Sequence, residues 1–226
     1  MNAERRRTLR RLAPCAAVLV LAACGGGGSK ESQATTAATS TSGNGCSTVD
    51  QPKPAARKEE KPTKKLDPSK AYSVTMQTNC GSFTIDLAVK SAPATTASFV
   101  SLVDKGFYDK TIFHRIVPGF IIQGGDPTAS GMGGPGYSTV DKPPANARYT
   151  LGTVAMAKTQ QEPDGTSGSQ FFIVTAQDAQ LPPQYAIIGE VKDGLDTVTK
   201  IGALGDPATE QPTEIVEIQK ATVSTE

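Results

Sequence analysis

The chain has 226 residues, with 23 Lys and Arg against 22 Asp and Glu, a formal net charge of +1, no tryptophan, one histidine and four cysteines. That balance excludes nucleic-acid binding by bulk electrostatics, and one histidine cannot found a multi-imidazole metal site. Apolar residues are spread so unevenly that only the part beyond residue 68 has the material for a packed domain.

In chain order, "MNAERRRTLRRLAPCAAVLVLAAC" comes first and has the form of a secretion signal, with arginines at 5, 6, 7, 10 and 11 and then an apolar stretch from Leu12 to Ala23. The stretch is shorter than the roughly 20 apolar residues of a membrane-spanning helix. Leu21-Ala22-Ala23-Cys24 resembles the lipobox of bacterial lipoproteins. The resemblance implies a signal peptide over 1–23, a lipid on Cys24, and a protein anchored at the extracytoplasmic face of the cell membrane. The arginine pair before Thr8-Leu9 also has a likeness to a twin-arginine signal, so Sec and Tat export both stay open. Loss of residues 1–23 leaves 18 basic and 21 acidic side chains, a formal charge of −3.

Residues 24–68 read as a disordered tether. From Gly25 to Thr48 almost nothing is large and apolar, and the Pro/Lys-rich run "DQPKPAARKEEKPTKKLDPSK" that follows reads as extended and solvated. Cys15 falls in the signal, which leaves Cys46 in the tether and Cys80 in the domain. Export permits these two to pair, the flexible surroundings of Cys46 favour separate thiols, and the question stays open.

The domain spans 69–226. Tyr72, Val74 and Met76 alternate along one strand, and Phe83, Ile85 and Leu87 along the next; "NCG" at 79–81 turns one into the other. "SAPATTASFVSLVDKG" reads as a helix with Pro93 in its first turn and Gly106 ending it. Further strands are predicted at 111–117, 120–124, 151–157, 170–175, 186–191 and 214–223, and a second helix near 194–203 from Leu195, Val198 and Ile201. The pattern predicts an antiparallel barrel or sandwich with two helices and does not choose between them.

Several chemistries are excluded by inventory. "GMGGPG" carries the glycines of a dinucleotide fingerprint, but Pro135 stands where the helix N-terminus has to begin. His114 has no second imidazole and no nucleophile elbow, and reads as a hydrogen-bonded structural residue. No metal or cofactor is expected.

The segments "FHRIVPGFIIQGGDPTASGMGGPGY", "TVAMAK", "SGSQFFIVTA" and "YAIIGEV" resemble the signature blocks of the cyclophilin family of peptidyl-prolyl cis/trans isomerases, in the family's order. The resemblance implies a closed eight-stranded antiparallel barrel capped by two α-helices. It also implies an isomerase that turns X-Pro bonds in exported proteins and so helps them fold at the cell envelope, with proline-bearing segments as its partners. It implies Arg115 and Gln123 as the catalytic pair, and Phe120, Ile121, Ala157, Lys158, Gln170, Phe172, Leu181 and Tyr185 as the substrate groove. Rotation about an amide moves no proton and breaks no covalent bond, which explains why an arginine stands here without a nucleophile or a paired carboxylate. Gln180 occupies the position where the best-known members carry tryptophan, so weak binding of cyclosporin-type macrocycles is expected. A monomer is expected. The rival expectation is a binding module that holds proline segments without turning them.

Overall fold

The structure, a computed structural model, describes residues 45–226. The expected signal peptide, with Cys15, and the expected lipid site Cys24 lie outside the described residues. Among the described residues no helix is long and apolar enough to cross a membrane.

The alternation in the first half of the domain folds as it reads. Strands β1 (Tyr72–Thr78) and β2 (Gly81–Leu87) form an antiparallel hairpin, and Val74, Met76, Phe83 and Ile85 point into the core. Helix α1 (Pro93–Asp104) follows, with proline in its first turn. Ala92 at its N-cap has no capping side chain, and the carboxylate of Asp141, far along the chain, accepts from the Thr95 N–H at 2.6 Å instead. Gly106, in the left-handed region at φ 68°, stops the helix as its position predicts.

The predicted strand 111–117 is two strands, β3 (Thr111–Ile112) and β4 (Arg115–Val117). Phe113 breaks it by turning its ring into the core against Phe83 and Phe171 while its N–H donates to Val216. The chain continues through β5 (Ile121–Gly124), β6 (Thr139–Val140), β7 (Thr153–Met156), β8 (Thr166–Ser167), β9 (Phe171–Val174) and β10 (Ile187–Asp193), then α2 (Leu195–Gly202) and β11 (Glu217–Thr225). The two-residue strands β6 and β8 pair with each other and carry no periodicity that a sequence reading could detect.

Nine strands form one curled sheet in the order β3-β11-β1-β2-β10-β7-β9-β5-β4. The expectation of a closed eight-stranded barrel is corrected here: β3 and β4, consecutive in sequence, are the two edges, and no ladder joins them. Phe113 and His114 carry the chain from one edge to the other, and a single isolated bridge, Ile112 to Asp126, spans the gap. The main core fills the inside of the curl, built from Phe83, Ile85, Phe99, Phe113, Ile116, Ile122, Phe171 and Ile173 among others.

The segment read as tether has no helix or strand from residue 48 to 66 but is tied to the domain. Cys46 is disulfide-bonded to Cys80 in the β1–β2 turn, contrary to the two separate thiols that a flexible spacer favours. Beside it, buried Asn79 donates to the carbonyls of Ser47 and Ile215 and accepts from the Glu217 N–H, so every polar atom of its amide is used. Prolines 52, 54 and 62 limit the entropy this segment loses on lying against the surface.

Candidate functional site

Strand register places three of the predicted residues, Arg115, Gln123 and Phe172, on one face. Arg115 pairs with Gln123, Gln123 with Phe172, Phe172 with Ala155, and Ala155 with Ile187, a row across β4, β5, β9, β7 and β10. Directly opposed residues in antiparallel strands project to the same side. One residue on in each strand, Ile116, Ile122, Ile173 and Val154 face the main core, which is why "FFIV" in β9 is apolar throughout: it is buried on both faces.

The outward row borders a second apolar cluster of Ile121, Tyr149, Ala155, Phe172 and Val174, with Phe120, Ala157, Leu181 and Tyr185 packed against it and partly open. Phe172 and Tyr185 meet edge to face at 5.4 Å between ring centroids, and Tyr149 stands at 6.0 Å from Tyr185. Tyr149 was not foreseen. Its hydroxyl donates to the Tyr185 carbonyl at 2.8 Å and accepts from the Tyr185 N–H at 3.0 Å, fixing the backbone that holds the rim residue, and burial pushes its phenol above the ordinary value. Lys158 does not reach into open solvent. Its ammonium donates to the carbonyls of Thr159 and Glu162 and lies 5.8 Å from the centre of the Tyr185 ring.

Polar groups flank the cluster in series. Gln170 donates through Nε2 to the carbonyls of Gly131 and Gly133, at 3.0 and 2.9 Å, which turns its Oε1 toward Gln123. Gln123 donates to that oxygen at 3.0 Å and so presents its own Oε1 to Arg115 Nη1, at a long 3.4 Å. Two loop carbonyls thereby fix the orientation of two amides. On its other side Arg115 Nε donates to Glu210 Oε2 at 2.7 Å. Among the described residues no acceptor binds Nη2, and the arginine side chain is 35% exposed.

Glu210 is the second residue that sequence reasoning missed. It sits at φ 58° in a loop held by Asp206, whose carboxylate accepts from the N–H groups of Ala208 and Thr209. The turn chemistry of "GDPATEQP" was legible; its partner across the fold was not.

The carbonyls that orient Gln170 belong to a loop wrapped around buried Asp126. One carboxylate oxygen accepts from the N–H and hydroxyl of Thr128, the other from the N–H groups of Ser130 and Gly133. Burial raises the Asp126 pKa, but the hydrogen bonds from Thr128, Gly133 and Gly131 outweigh it and hold the carboxyl below its ordinary value. Gly133 has to be glycine, since a Cβ there would lie 2.0 Å from Asp126 Oδ1. The loop walls a cleft of about 550 Å³ beside Gln123, with Lys158 and Glu162 opposite.

His114 departs from expectation. Neither ring nitrogen has a hydrogen-bond partner, although the ring lies near the Ile112 backbone. Burial, with Arg115 adding to it against the opposing pull of Asp126, keeps the imidazole below its ordinary pKa and hence neutral. Gln180, at φ 51°, is exposed and outside the cluster.

Residues 73–223 match the family described as Cyclophilin type peptidyl-prolyl cis-trans isomerase/CLD. The chain is 37% identical over 155 residues to Peptidyl-prolyl cis-trans isomerase-like 1 of Gibberella zeae, covering 67% of this chain and 94% of that one. It is 36% identical over 154 residues to Peptidyl-prolyl cis-trans isomerase CYP18-2 of Arabidopsis thaliana, covering 66% and 92%. Among solved structures, it is similar to the crystal structure of a Cryptosporidium parvum cyclophilin type peptidyl-prolyl cis-trans isomerase determined in the presence of the dipeptide Ala-Pro, with a TM-score of 0.62, 32% identity, and coverage of 67% of this chain and 98% of that one. A curled sheet with two helices, an arginine and glutamine paired across neighbouring strands and an open apolar cluster beside them thus meet in a chain that belongs to the cyclophilin-type peptidyl-prolyl cis-trans isomerases, enzymes that need no cofactor.

Proposed function

We propose that Arg115 is the group that accelerates X-Pro rotation, with Gln123 holding it and the substrate carbonyl, and that the proline ring seats on Phe120, Ile121, Phe172, Leu181 and Tyr185. The observation that carries this reading is the register row in which Arg115 and Gln123 stand beside Phe172 on one face. The barrier to rotation, roughly 18–20 kcal/mol, comes from amide resonance. Twisting the bond returns a lone pair to the imide nitrogen. The Arg115 guanidinium can donate to that lone pair, and the planar ground state offers none, so the hydrogen bond favours the transition state alone. Glu210 on Nε and Gln123 on Nη1 leave the far edge of the guanidinium for this task. Ala157, Lys158 and Gln170 line the cleft that takes the chain flanking the proline.

The substrates are proline-bearing segments of exported proteins, and the chain is a lipoprotein held by Cys24 outside the cytoplasmic membrane, where it assists their folding as a monomer. Three observations support this: the pattern of residues 1–24, the Cys46–Cys80 disulfide, which belongs to an oxidising compartment, and the Ala-Pro used with the similar Cryptosporidium protein. The test has two arms. Cis/trans exchange of an X-Pro peptide is measured with the protein and with Arg115→Ala; equal rates reject the site. Labelled fatty acid is supplied to bacterial cells making the full chain or Cys24→Ala; equal labelling of the two rejects the anchor.

A further inference from the structure

Residues 47–59 lie outside the sheet, yet they grip the one loop on which the polar series depends. At one end the strap is stapled, Cys46 to Cys80, with both cysteines buried. Further on, Arg57 donates to the carbonyls of Gly106 and Phe107 and lies over the Phe107 ring, 6.0 Å from its centre. On either side of that arginine the strap backbone reaches the Asp126 loop: the Ala55 N–H donates to the Pro127 carbonyl at 3.0 Å and the Glu59 N–H to the Pro135 carbonyl at 2.8 Å. Lys58 packs its methylenes beside Gly136, and Glu59 forms an ion pair with Lys105 at 2.8 Å.

Pro127 and Pro135 are the two shoulders of the loop whose Gly131 and Gly133 carbonyls orient Gln170. Asp126 fixes the inside of that loop through its carboxylate, and nothing else on the domain bonds the two shoulder carbonyls among the described backbone hydrogen bonds. Two such bonds are weak taken singly. They persist because the staple and the Arg57 anchor keep the strap at high effective concentration over the loop.

We propose that the stapled N-terminal strap is a positioning element of the isomerase site: by holding Pro127 and Pro135 it sets the Gly131 and Gly133 carbonyls, and through Gln170 and Gln123 it sets Arg115. This rests on the assignment of Arg115 and Gln123 made above. No residue of the strap itself lines the cleft or meets Arg115; it reaches the site through the loop, whose Pro135 and Gly136 line the cleft.

The experiment uses the full chain and two strap variants. Cys46→Ala with Cys80→Ala removes the staple, and Arg57→Ala with Glu59→Ala frees the strap while leaving the disulfide intact, should the first fold poorly. Two readouts are taken: amide hydrogen exchange across residues 126–136, and kcat/KM for an X-Pro peptide. Expected are faster exchange in that loop and a fall in kcat/KM of about threefold to tenfold. In a Gln170→Ala background the strap variants should lower kcat/KM no further, because the route is already cut. Unchanged loop protection in the folded variants overturns the proposal, as does lost protection with an unchanged rate, or an effect that simply adds to that of Gln170→Ala. Arg115→Ala, with loop protection intact, reads the site assignment by itself, so failure of the strap and failure of the site are told apart.

Discussion

Arg115 and Glu210 stand 95 residues apart in the chain and 2.7 Å apart in the fold, Nε against Oε2. Both side chains are partly exposed, so the pair contributes at most about 1 kcal/mol to stability. Its consequence is directional, because it fixes which edge of the guanidinium remains for a substrate. Glu210→Gln keeps an acceptor and should cost under threefold in kcat/KM, whereas Glu210→Ala should cost about tenfold, equivalent to about 1.4 kcal/mol. The melting temperature should hardly move in either. If Glu210→Ala is as fast as the parent protein, the pair is surface decoration.

Arg115→Ala removes the donor and should lower kcat/KM by about 10²–10³, the range for losing one preorganised transition-state hydrogen bond. Arg115→Lys keeps the charge but lacks the planar fork that meets Glu210 and Gln123 together, and should recover only a small part of the loss. Exchange spectroscopy on an X-Pro peptide measures both.

Tyr149→Phe deletes the hydroxyl that both donates to and accepts from the Tyr185 backbone. Two part-buried main-chain groups lose a partner, at a cost of about 1 kcal/mol. Thermal unfolding should show the loss, and KM should rise more than kcat falls, since what loosens is the rim of the apolar groove.

The proposed chemistry transfers no proton, so kcat/KM should be level through neutral and alkaline pH. Stability should fall in acid in two stages. The lowered native pKa of His114 means that stability is complete above its ordinary value of 6.5 and declines as pH falls below it. The lowered native pKa of Asp126 means that its contribution is complete above the ordinary 3.8 and is lost as pH falls through the native value. Melting temperature against pH checks this; His114→Asn should remove the upper stage and Asp126→Asn the lower.

Much of the site was legible because its parts obey short-range rules. Phe172 falls on one face by the period of a strand and Phe171 and Ile173 on the other, as the two clusters show, and Gln170 meets Gln123 on the outer side. The signature blocks brought in Arg115 and Gln123 with their strands. What escaped depends on partners far along the chain: Glu210 on Arg115, Asp141 on the end of α1, Tyr149 on Tyr185. The Pro/Lys run read as a solvated tether, but composition could not say that Ala55 and Glu59 meet two loop carbonyls, because backbone hydrogen bonds have no residue signature. The break at Phe113 was hidden for the opposite reason, since a β-prone run gives no sign of where one ring will turn inward.

The short edges of the sheet have a consequence for how the molecule keeps company. Its two margins, β3 and β4, are two and three residues long. A margin that short gives a passing extended chain almost no ladder to extend, and so resists the edge-to-edge stacking that turns soluble proteins into aggregates.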